Sequence, residues 1–273
     1  MRATVWGLGL IGGSVAQALR ARGWHVNGYD ADPATRAAAA AAGIPSLPSD
    51  GAGLETSDVV VLAVPVDVLP EELVRLAPRL GRARLVTDVG SVKRGVVAVA
   101  TRLGLTQFVG AHPLAGDHRR GWVSARADLL VDAPVYLCPT PITAPRALAR
   151  ARRFWRHLGM HPDVLDAAAH DRQLAWTSHL PQLAASALGA ALATAGWPRA
   201  RLGPGGRDTT RLAASDPALW AAIAAANADE LAPALRALER ELVALRRALP
   251  DRARLRTHLA RATAWARRER HDS

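Results

Sequence analysis

The feature that most constrains the fold is a glycine pattern near the start of the chain, Gly7-Leu8-Gly9-Leu10-Ile11-Gly12. It follows the apolar run Ala3–Trp6 and precedes a helical segment, so it joins a buried strand to a helix. In such a turn the first glycine permits a tight bend, the second lets the backbone approach a pyrophosphate, and the third lets the helix pack on the strand. The pattern predicts a dinucleotide-binding βαβ unit in which these six residues contact the cofactor.

A carboxylate follows the second predicted strand at the position expected for a ribose contact. His25–Tyr29 forms that strand and Asp30 ends it. A carboxylate there accepts hydrogen bonds from both ribose hydroxyls and repels a 2′-phosphate, which favours NAD as the cofactor. The later run Val61–Val66 predicts a strand whose end, at Val64 and Pro65, lies along the adenosine half of NAD.

The alternation of strands and helices continues through the first half of the chain. Further strands are predicted at Val59–Ala63, Leu85–Thr87, Phe108–Gly110 and Val135–Leu137, with an edge strand in Met160–Leu165. Several of these runs are continuously apolar, which is typical of parallel strands covered by helices on both faces. We therefore expect an α/β Rossmann-like dinucleotide-binding domain over residues 1–165.

After Asp166 the chain changes character. It is rich in Ala, Leu and Arg and shows no convincing strand, so we expect an all-α domain for substrate binding and dimerisation over residues 166–273. Pro181 falls inside an otherwise helical run, which predicts a kink there. Helices that are apolar on most faces are expected to be buried against a partner, most simply a second copy of the chain.

Composition argues against several other classes of protein. The chain has no apolar run of about 18 residues, which argues against a membrane span. The first strand begins directly after Met1-Arg2, which leaves no room for a signal peptide and predicts a cytoplasmic location. The net charge of +11 comes mainly from arginines and is densest in Arg246–Ser273. Without a zinc-finger or aromatic–basic pattern, we interpret that tail as a solvated helix face rather than a nucleic-acid site. Cys138, in an apolar run, is expected to be a core thiol.

Two polar motifs follow later strands, at the edge of the sheet where the cofactor is expected. They are Thr87-Asp88-Val89-Gly90-Ser91-Val92-Lys93 and Gly110-Ala111-His112-Pro113-Leu114-Ala115-Gly116. A histidine close to a serine can accept the proton of a substrate alcohol while hydride leaves its carbon. Taken alone, His112 could also be a loop histidine. Lys93 is the only lysine among 35 basic residues, which suggests a compact ammonium near a cofactor or carboxylate.

Together, these segments resemble the prephenate/arogenate dehydrogenase family. The matching segments are GLGLIGGS at Gly7–Ser14, TDVGSVK at Thr87–Lys93, GAHPLAG at Gly110–Gly116, His170-Asp171 with TSHLPQ at Thr177–Gln182, and Arg207–Trp220. The resemblance spans about residues 3–245. It implies NAD-dependent oxidative decarboxylation of prephenate to 4-hydroxyphenylpyruvate in tyrosine biosynthesis.

The resemblance also implies roles for individual residues. His112 would act as the general base on the ring hydroxyl, and Ser91 would orient it or the nicotinamide. His179 would contribute to catalysis and substrate binding from the helical domain. Arg211 would bind a substrate carboxylate through a charge-assisted pair. Separately from the resemblance, the position of the single lysine in a candidate site predicts a substrate contact for Lys93.

One loop departs from the family's pattern. After GAHPLAG many relatives carry a small hydroxyl residue and then a glutamate, whereas this chain has Asp117-His118-Arg119-Arg120. If the loop approaches the substrate side chain, a glutamate could pair with the ammonium of arogenate, and His118 could not. The change is expected to favour prephenate, which carries a keto acid instead, although Asp117 could substitute for the missing acid.

Several alternatives remain open from the sequence. Within the family, the substrate could be arogenate or an amino-substituted prephenate. A β-hydroxyacid dehydrogenase shares the glycine fingerprint and a helical C-terminal domain, but the GAHPLAG and TSHLPQ motifs count against it. A dinucleotide-binding regulator would use the basic tail on DNA, and the set of His112, Ser91 and Arg211 counts against that. We expect a homodimer that binds NAD and a small-molecule substrate, with no metal, nucleic-acid or membrane partner.

Overall fold

A seven-stranded sheet forms the centre of the fold. The structure, a computed structural model, describes residues 1–116 and 119–268. The strands are β1 (Arg2–Trp6), β2 (His25–Tyr29), β3 (Val59–Leu62), β4 (Leu85–Asp88), β5 (Phe108–Pro113), β6 (Pro134–Pro139) and β7 (His161–Val164). Their order is β2-β1-β3-β4-β5-β6-β7, and each pair of neighbours except β5 and β6 is parallel. With the helices that follow, this sheet confirms the predicted fold class.

The antiparallel pairing of β6 with β5 differs from the parallel sheet that the sequence predicted. Among the described residues between these strands, the only regular element is a 3-10 turn at Trp122–Ser124. Parallel neighbours need a crossover of about a dozen residues or more, usually a helix. Without such a helix, the chain returns beside β5 in the opposite direction. The register sets Tyr136 opposite His112.

Several helices pack on both faces of the sheet, and the described residues contain eleven α-helices in all. They are α1 (Leu10–Ala21), α2 (Pro33–Ala41), α3 (Leu69–Leu76), α4 (Arg94–Arg102), α5 (Pro145–His157), α6 (Ala167–Leu174), α7 (Leu180–Thr194), α8 (Pro204–Thr209), α9 (Pro217–Ala226), α10 (Ala228–Ala248) and α11 (Arg252–Arg268). Alternate residues of β3 point to opposite faces. Val59 and Val61 join the buried cluster that contains Leu19 of α1, whereas Val60 and Leu62 join the cluster that contains the leucines of α3. The apolar strands are thus buried on both sides.

The single cysteine is a core residue. Cys138 lies in β6 and has no exposed surface. Burial raises the pKa of its thiol to about 12, which keeps the thiol protonated and unreactive at neutral pH. The prediction of a core thiol is confirmed.

The helical run around Pro181 is interrupted. A π-helical turn at Ala175–His179 separates α6 from α7, and Pro181 is the second residue of α7. Proline lacks the N–H that would continue the ladder, and such π turns often lie next to functional sites.

By the density of their contacts, the residues group into two compact units, Met1–Asn227 and Ala228–Ser273. The first unit contains the sheet and α1–α9, and the second contains α10 and α11. Within the second unit, Nε2 of His258 on α11 lies 3.0 Å from Oε2 of Glu241 on α10. The functional boundary near residue 165 differs from this division and remains a proposal. No helix within the described ranges is long and apolar enough to cross a membrane.

Candidate active site

A cleft of about 1100 Å³ runs along the C-terminal ends of the central strands. The turns after β1, β3, β4 and β5 contribute to its walls, and ligands of open α/β sheets bind at this edge. The predicted cofactor residues that line the cleft are Gly7, Gly9, Leu10, Ile11, Gly12, Asp30, Val64, Pro65 and Ser91. His112, the predicted base, lines the same cleft.

The glycine turn forms an open cradle at the start of α1. Gly7 has φ of +99°, which L side chains rarely adopt, and a Cβ there would clash with the carbonyl group of Ala63. A Cβ at Gly12 would clash with Gly7 and with the side chain of Ala63, so α1 packs closely on the end of β3. Gly9 faces open space and precedes α1 without a side-chain cap. The N–H groups of the first helical turn therefore face a cradle of the kind that binds a pyrophosphate.

Asp30 is held beside this turn by backbone hydrogen bonds. Its Oδ2 accepts from the N–H of Leu8 at 2.7 Å, and its Oδ1 accepts from the N–H of Asp32 at 2.9 Å. Each carboxylate oxygen retains capacity for another donor. Leu8 itself is buried and contributes its backbone rather than a cleft-facing side chain. Arg36 lies close by, but its Nη1 donates to the carbonyl oxygens of Asp30 and Ala31 at 2.7 and 3.0 Å.

Another part of the cleft wall is formed by four side chains that the sequence did not single out. The rings of Trp6 and Tyr29 stack with centroids 4.1 Å apart. Nε1 of Trp6 donates to Glu72 at 2.5 Å, and Arg75 binds the same carboxylate. The Arg75 guanidinium holds the pKa of Glu72 below its ordinary value, against the opposing effect of burial. The only sequence signal for this wall was an aromatic residue at the end of each of two predicted strands.

His112 is connected to the helical region by a buried hydrogen-bonded chain. Its Nδ1 lies 2.9 Å from Nε2 of His170, and Nδ1 of His170 lies 2.7 Å from Oδ1 of Asp171. Asp166 caps α6 by accepting from two backbone N–H groups, which fixes the start of the helix that carries both residues. The ring of Tyr136 packs edge-on against His170 with centroids 5.6 Å apart. The partner of Nδ1 is thus His170.

The two ends of this hydrogen-bonded chain, His112 and Asp171, are in different charge states. Burial lowers the pKa of His112 well below its ordinary value, and the neighbouring His170, Lys93 and His179 act in the same direction. Burial would raise the pKa of Asp171, but hydrogen bonds from His170 and from two backbone N–H groups outweigh it and leave that pKa lowered. At neutral pH the site therefore holds a neutral His112 and an ionised Asp171.

Lys93 does not line the cleft, and its predicted contact with the substrate does not fit its place in the fold. The side chain is fully buried and forms an ion pair with the equally buried Asp88. Its Nζ also donates to the carbonyl oxygen of Ala111 at 2.8 Å, while Asp88 Oδ1 accepts from the N–H of the same residue at 3.0 Å. Backbone pairing between β4 and β5 covers only two residue pairs. The ion pair bridges the strands beyond that point, directly before His112.

The helical region reaches the cleft through Trp220. This residue lines the cleft and packs against the buried side chains of Val66 and Val92. His179 does not line the cleft; its ring packs edge-on against Trp220 at 6.0 Å, and its Nδ1 lies 3.2 Å from Nδ2 of Asn227. Burial is the main reason that the pKa of His179 falls to about 4. His179 therefore lies behind Trp220, a residue of the cleft wall.

Three arginines line the cleft, Arg75, Arg119 and Arg120, and the predicted Arg211 is not among them. Arg120 lines it and forms an ion pair with Asp216, the N-cap of α9. Arg211, the predicted carboxylate ligand, is exposed and is not part of the cleft lining. Asp117 and His118 lie outside the described residues, so the predicted role of His118 stays a prediction.

Two family models match the chain. The nucleotide-binding domain of prephenate dehydrogenase matches residues 15–163, and the prephenate dehydrogenase dimerization domain matches residues 166–261. A cyclohexadienyl dehydrogenase from Zymomonas mobilis is 34% identical over 253 residues, which cover 89% of this chain and 86% of the relative.

Solved structures are similar over nearly the whole chain. The crystal structure of prephenate dehydrogenase from Aquifex aeolicus in complex with hydroxyphenyl propionate and NAD+ is 30% identical, covers 98% of both chains and gives a TM-score of 0.88. That of Synechocystis arogenate dehydrogenase is 31% identical, covers 98% of this chain and 100% of the other, and gives a TM-score of 0.82.

Proposed function

The chain belongs to the prephenate dehydrogenase family and is an NAD-dependent dehydrogenase, and we propose that it converts prephenate to 4-hydroxyphenylpyruvate in tyrosine biosynthesis. The observation that carries this proposal is the position of His112. It lines the same cleft as the glycine cradle. On the side away from the cleft, its ring is hydrogen-bonded to His170, which is hydrogen-bonded in turn to Asp171. A neutral imidazole next to a dinucleotide cradle is the arrangement needed to oxidise an alcohol.

The cleft residues fit NAD. The N–H groups at the start of α1 would bind the pyrophosphate, and the open side of Gly9 leaves room for it. Asp30 would accept hydrogen bonds from the ribose hydroxyls, because each of its carboxylate oxygens has a lone pair left after the bonds to Leu8 and Asp32. When bound, NAD supplies the acceptor for the hydride that leaves the substrate.

His112 would do the acid–base work of the reaction. Its lowered pKa keeps the imidazole neutral at neutral pH, so it can take the proton of the ring hydroxyl as the carbon–hydrogen bond breaks. Ser91, which also lines the cleft, would donate to or accept from the same hydroxyl. Arg120 would attract the anionic substrate, since a carboxylate can compete with Asp216 for its guanidinium.

The direct test is a steady-state assay with prephenate and NAD that follows the absorbance of reduced nicotinamide. The expected result is saturable turnover with 4-hydroxyphenylpyruvate as the product, identified by mass. A protein that binds NAD but turns over neither prephenate nor arogenate would contradict the proposal. A small β-hydroxy acid, tested in parallel, should give no turnover.

Arogenate is the second candidate substrate, because one of the similar structures is named an arogenate dehydrogenase. The sequence argument at His118 favours prephenate over arogenate. Efficiencies measured side by side decide between them, and the His118→Glu variant should shift their ratio towards arogenate. A wild-type preference for arogenate, or an unchanged ratio in the variant, would contradict the role given to His118.

We also propose a homodimer formed through the helical region. The matching C-terminal family model describes a dimerization domain, and Leu242, Leu259 and Trp265 are more than half exposed. Large apolar side chains of this kind commonly mark an interface. Separately from the dimer, we propose the cytoplasmic location that the sequence predicts. Light scattering on the purified protein should give twice the mass of the chain.

A further inference from the structure

The chain of buried side chains behind His112 determines where its protons lie. His170 and Asp171 have no exposed surface, and His112 is 8% exposed. The two histidines are 58 positions apart in sequence, on β5 and α6, yet their ring nitrogens are 2.9 Å apart. Only one nitrogen of a neutral imidazole carries a proton, so every hydrogen bond in this chain restricts the next.

The hydrogen-bonded chain begins at the carboxylate of Asp171, both of whose oxygens already accept hydrogen bonds. Oδ1 of Asp171 accepts from the N–H of Lys93 at 2.8 Å and faces Nδ1 of His170. Oδ2 accepts from the N–H of Arg94 at 2.9 Å and from Nε of the same residue at 3.2 Å. A protonated acid would have to point its hydrogen at one of these donors. Asp171 is therefore an anion, and the proton it shares with His170 resides on Nδ1 of His170.

The remaining assignments follow in sequence. When the His170 ring carries one proton, on the Nδ1 that faces Asp171, its Nε2 is an acceptor, and Nδ1 of His112 is the donor in the 2.9 Å bond. That leaves Nε2 of His112 with a lone pair. Because Nδ1 faces the protein interior, Nε2 is the nitrogen available to a ligand in the cleft that His112 lines.

We propose that His170 and Asp171 are positioning residues which hold His112 in its Nδ1–H tautomer, so that Nε2 takes the substrate hydroxyl proton and later returns it to the same oxygen. This inference rests on the proposed function for its last step. The O–H bond breaks as an Nε2–H bond forms, and the carbinol hydrogen leaves as hydride to the nicotinamide. The bond to the ring carboxylate then breaks, its electron pair makes the ring aromatic, and the ring oxygen takes the proton back from Nε2.

A base that holds the proton and then returns it is consistent with the proton balance of the overall reaction. The prephenate dianion and NAD+ give the 4-hydroxyphenylpyruvate anion, CO2 and NADH, with no proton released or consumed. The base therefore needs no route to bulk water. The hydrogen-bonded chain provides none through Asp171, whose oxygens already accept four hydrogen bonds. The other charged or titratable groups that the described residues place near His112 are the Lys93–Asp88 pair, His179 and Tyr136. The first is already paired, His179 is bonded to Asn227, and the Tyr136 hydroxyl accepts from Nε2 of Gln173 at 2.6 Å.

The tautomer can be read without any substrate. In the protein labelled with ¹⁵N-histidine, the His112 signals are assigned by their loss in the His112→Asn variant, and long-range coupling identifies which ring nitrogen carries the proton. The expected result at neutral pH is a protonated Nδ1 and an unprotonated Nε2. A protonated Nε2 would overturn the proposal, because it would mean that His170 donates to His112.

Two substitutions at position 170 separate positioning from packing. His170→Leu removes the acceptor and should lower kcat by about 100-fold with little change in KM. His170→Gln offers an amide oxygen to Nδ1 of His112 and should retain kcat to within about tenfold. His161→Leu, at an exposed histidine, is the matched control. Near-normal kcat in His170→Leu, or equal losses in both variants, would overturn the positioning role.

The two proposals fail in different ways. An Nδ1–H tautomer in a protein that does not turn over prephenate would support the positioning by His170 and Asp171. It would overturn the proposed function and the return of the proton. Turnover of prephenate with a protonated Nε2 on His112 would do the reverse.

Discussion

Lys93 and Asp88 form an ion pair in which neither side chain has any exposed surface. Between them they bind the C=O and the N–H of Ala111, the residue before the proposed base. The pair thus serves as a side-chain continuation of the sheet where β4 and β5 no longer pair through their backbones. An ammonium on a flexible stem can reach both acceptors, whereas a planar guanidinium of greater bulk could not be placed there without displacing one of them.

Replacing Lys93 with Met should lower the free energy of unfolding by about 3–5 kcal/mol, because Asp88 would be left buried and charged without its partner. Denaturant titration measures this change. Arg84→Met is the matched control, since Arg84 pairs with Asp58 at the surface and its side chain is 66% exposed; its effect should stay below about 1 kcal/mol. Similar losses in the two variants would contradict this account of the buried pair.

Replacing His112 with Asn should lower turnover by about 10²–10⁴-fold, because the amide keeps a polar group but cannot take the proton. The dissociation constant of NAD should barely change, since His112 is not part of the glycine cradle. Stopped-flow measurement of the reduced cofactor and fluorescence titration with NAD provide the two readouts. A variant with most of its turnover would remove His112 from the mechanism.

Replacing Arg211 with Ala is expected from the family resemblance to raise KM for prephenate, with little change in NAD dissociation. In the described chain Arg211 lies outside the cleft, so such an effect requires it to reach the substrate after a rearrangement or from a second copy. Arg120→Ala is the variant to compare, because Arg120 lines the cleft. If only Arg120→Ala raises KM, the carboxylate contact belongs to Arg120.

The efficiency with NADP should fall far below that with NAD. A 2′-phosphate would meet the carboxylate of Asp30, and unfavourable like-charge contacts of this kind cost several kcal/mol. Arg36 offers limited relief, because its Nη1 already donates to two backbone carbonyls. Steady-state kinetics with both cofactors check this, and equal efficiencies would contradict the role of Asp30.

Stability should decline as the pH falls from 6.5 towards 4. The pKa of His179 falls from an ordinary 6.5 to about 4 on folding, so in this range the unfolded chain binds a proton that the folded chain does not. The lowered pKa of His179 contributes about 3 kcal/mol to the pH dependence of the free energy of unfolding. This stability is fully present above pH 6.5 and is lost as the pH falls to 4. Denaturant titrations at several pH values in this range give the free energy of unfolding of the wild type and of His179→Gln. The contribution of His179 is the difference between the two proteins in the slope of that free energy against pH. Parallel curves for the two proteins would show that His179 does not titrate this way.

Much of the nucleotide-binding half could be predicted because its signals are local. The strands were found from short apolar runs, and the glycine turn identified a βα junction whose backbone geometry requires those residues. Gly7, with its positive φ, and Gly12, pressed against the end of β3, occupy the places that the motif assigns to them. Asp30 could be placed because it follows its strand directly.

The contacts that depend on long-range packing could not be predicted. His170 and Asp171 belong to a recognisable motif, but nothing in the sequence joins these residues of α6 to His112 on β5. Lys93 stood out by its rarity, yet rarity does not distinguish a ligand-binding ammonium from a buried one. The reversal at β6 depends on a connection without a helix, and the exposed position of Arg211 depends on how the short helices after Gly203 fold.

The burial of Lys93 has a practical chemical consequence. Since it is the only lysine of this sequence and its side chain has no exposed surface, acylating reagents that modify amines can reach a side chain only in molecules that have opened around it. The rate of acylation at this one position then reports the free energy of that opening. A ligand that closes the cleft should slow the modification, so mass spectrometry of a single peptide would follow cofactor binding without any spectroscopic label.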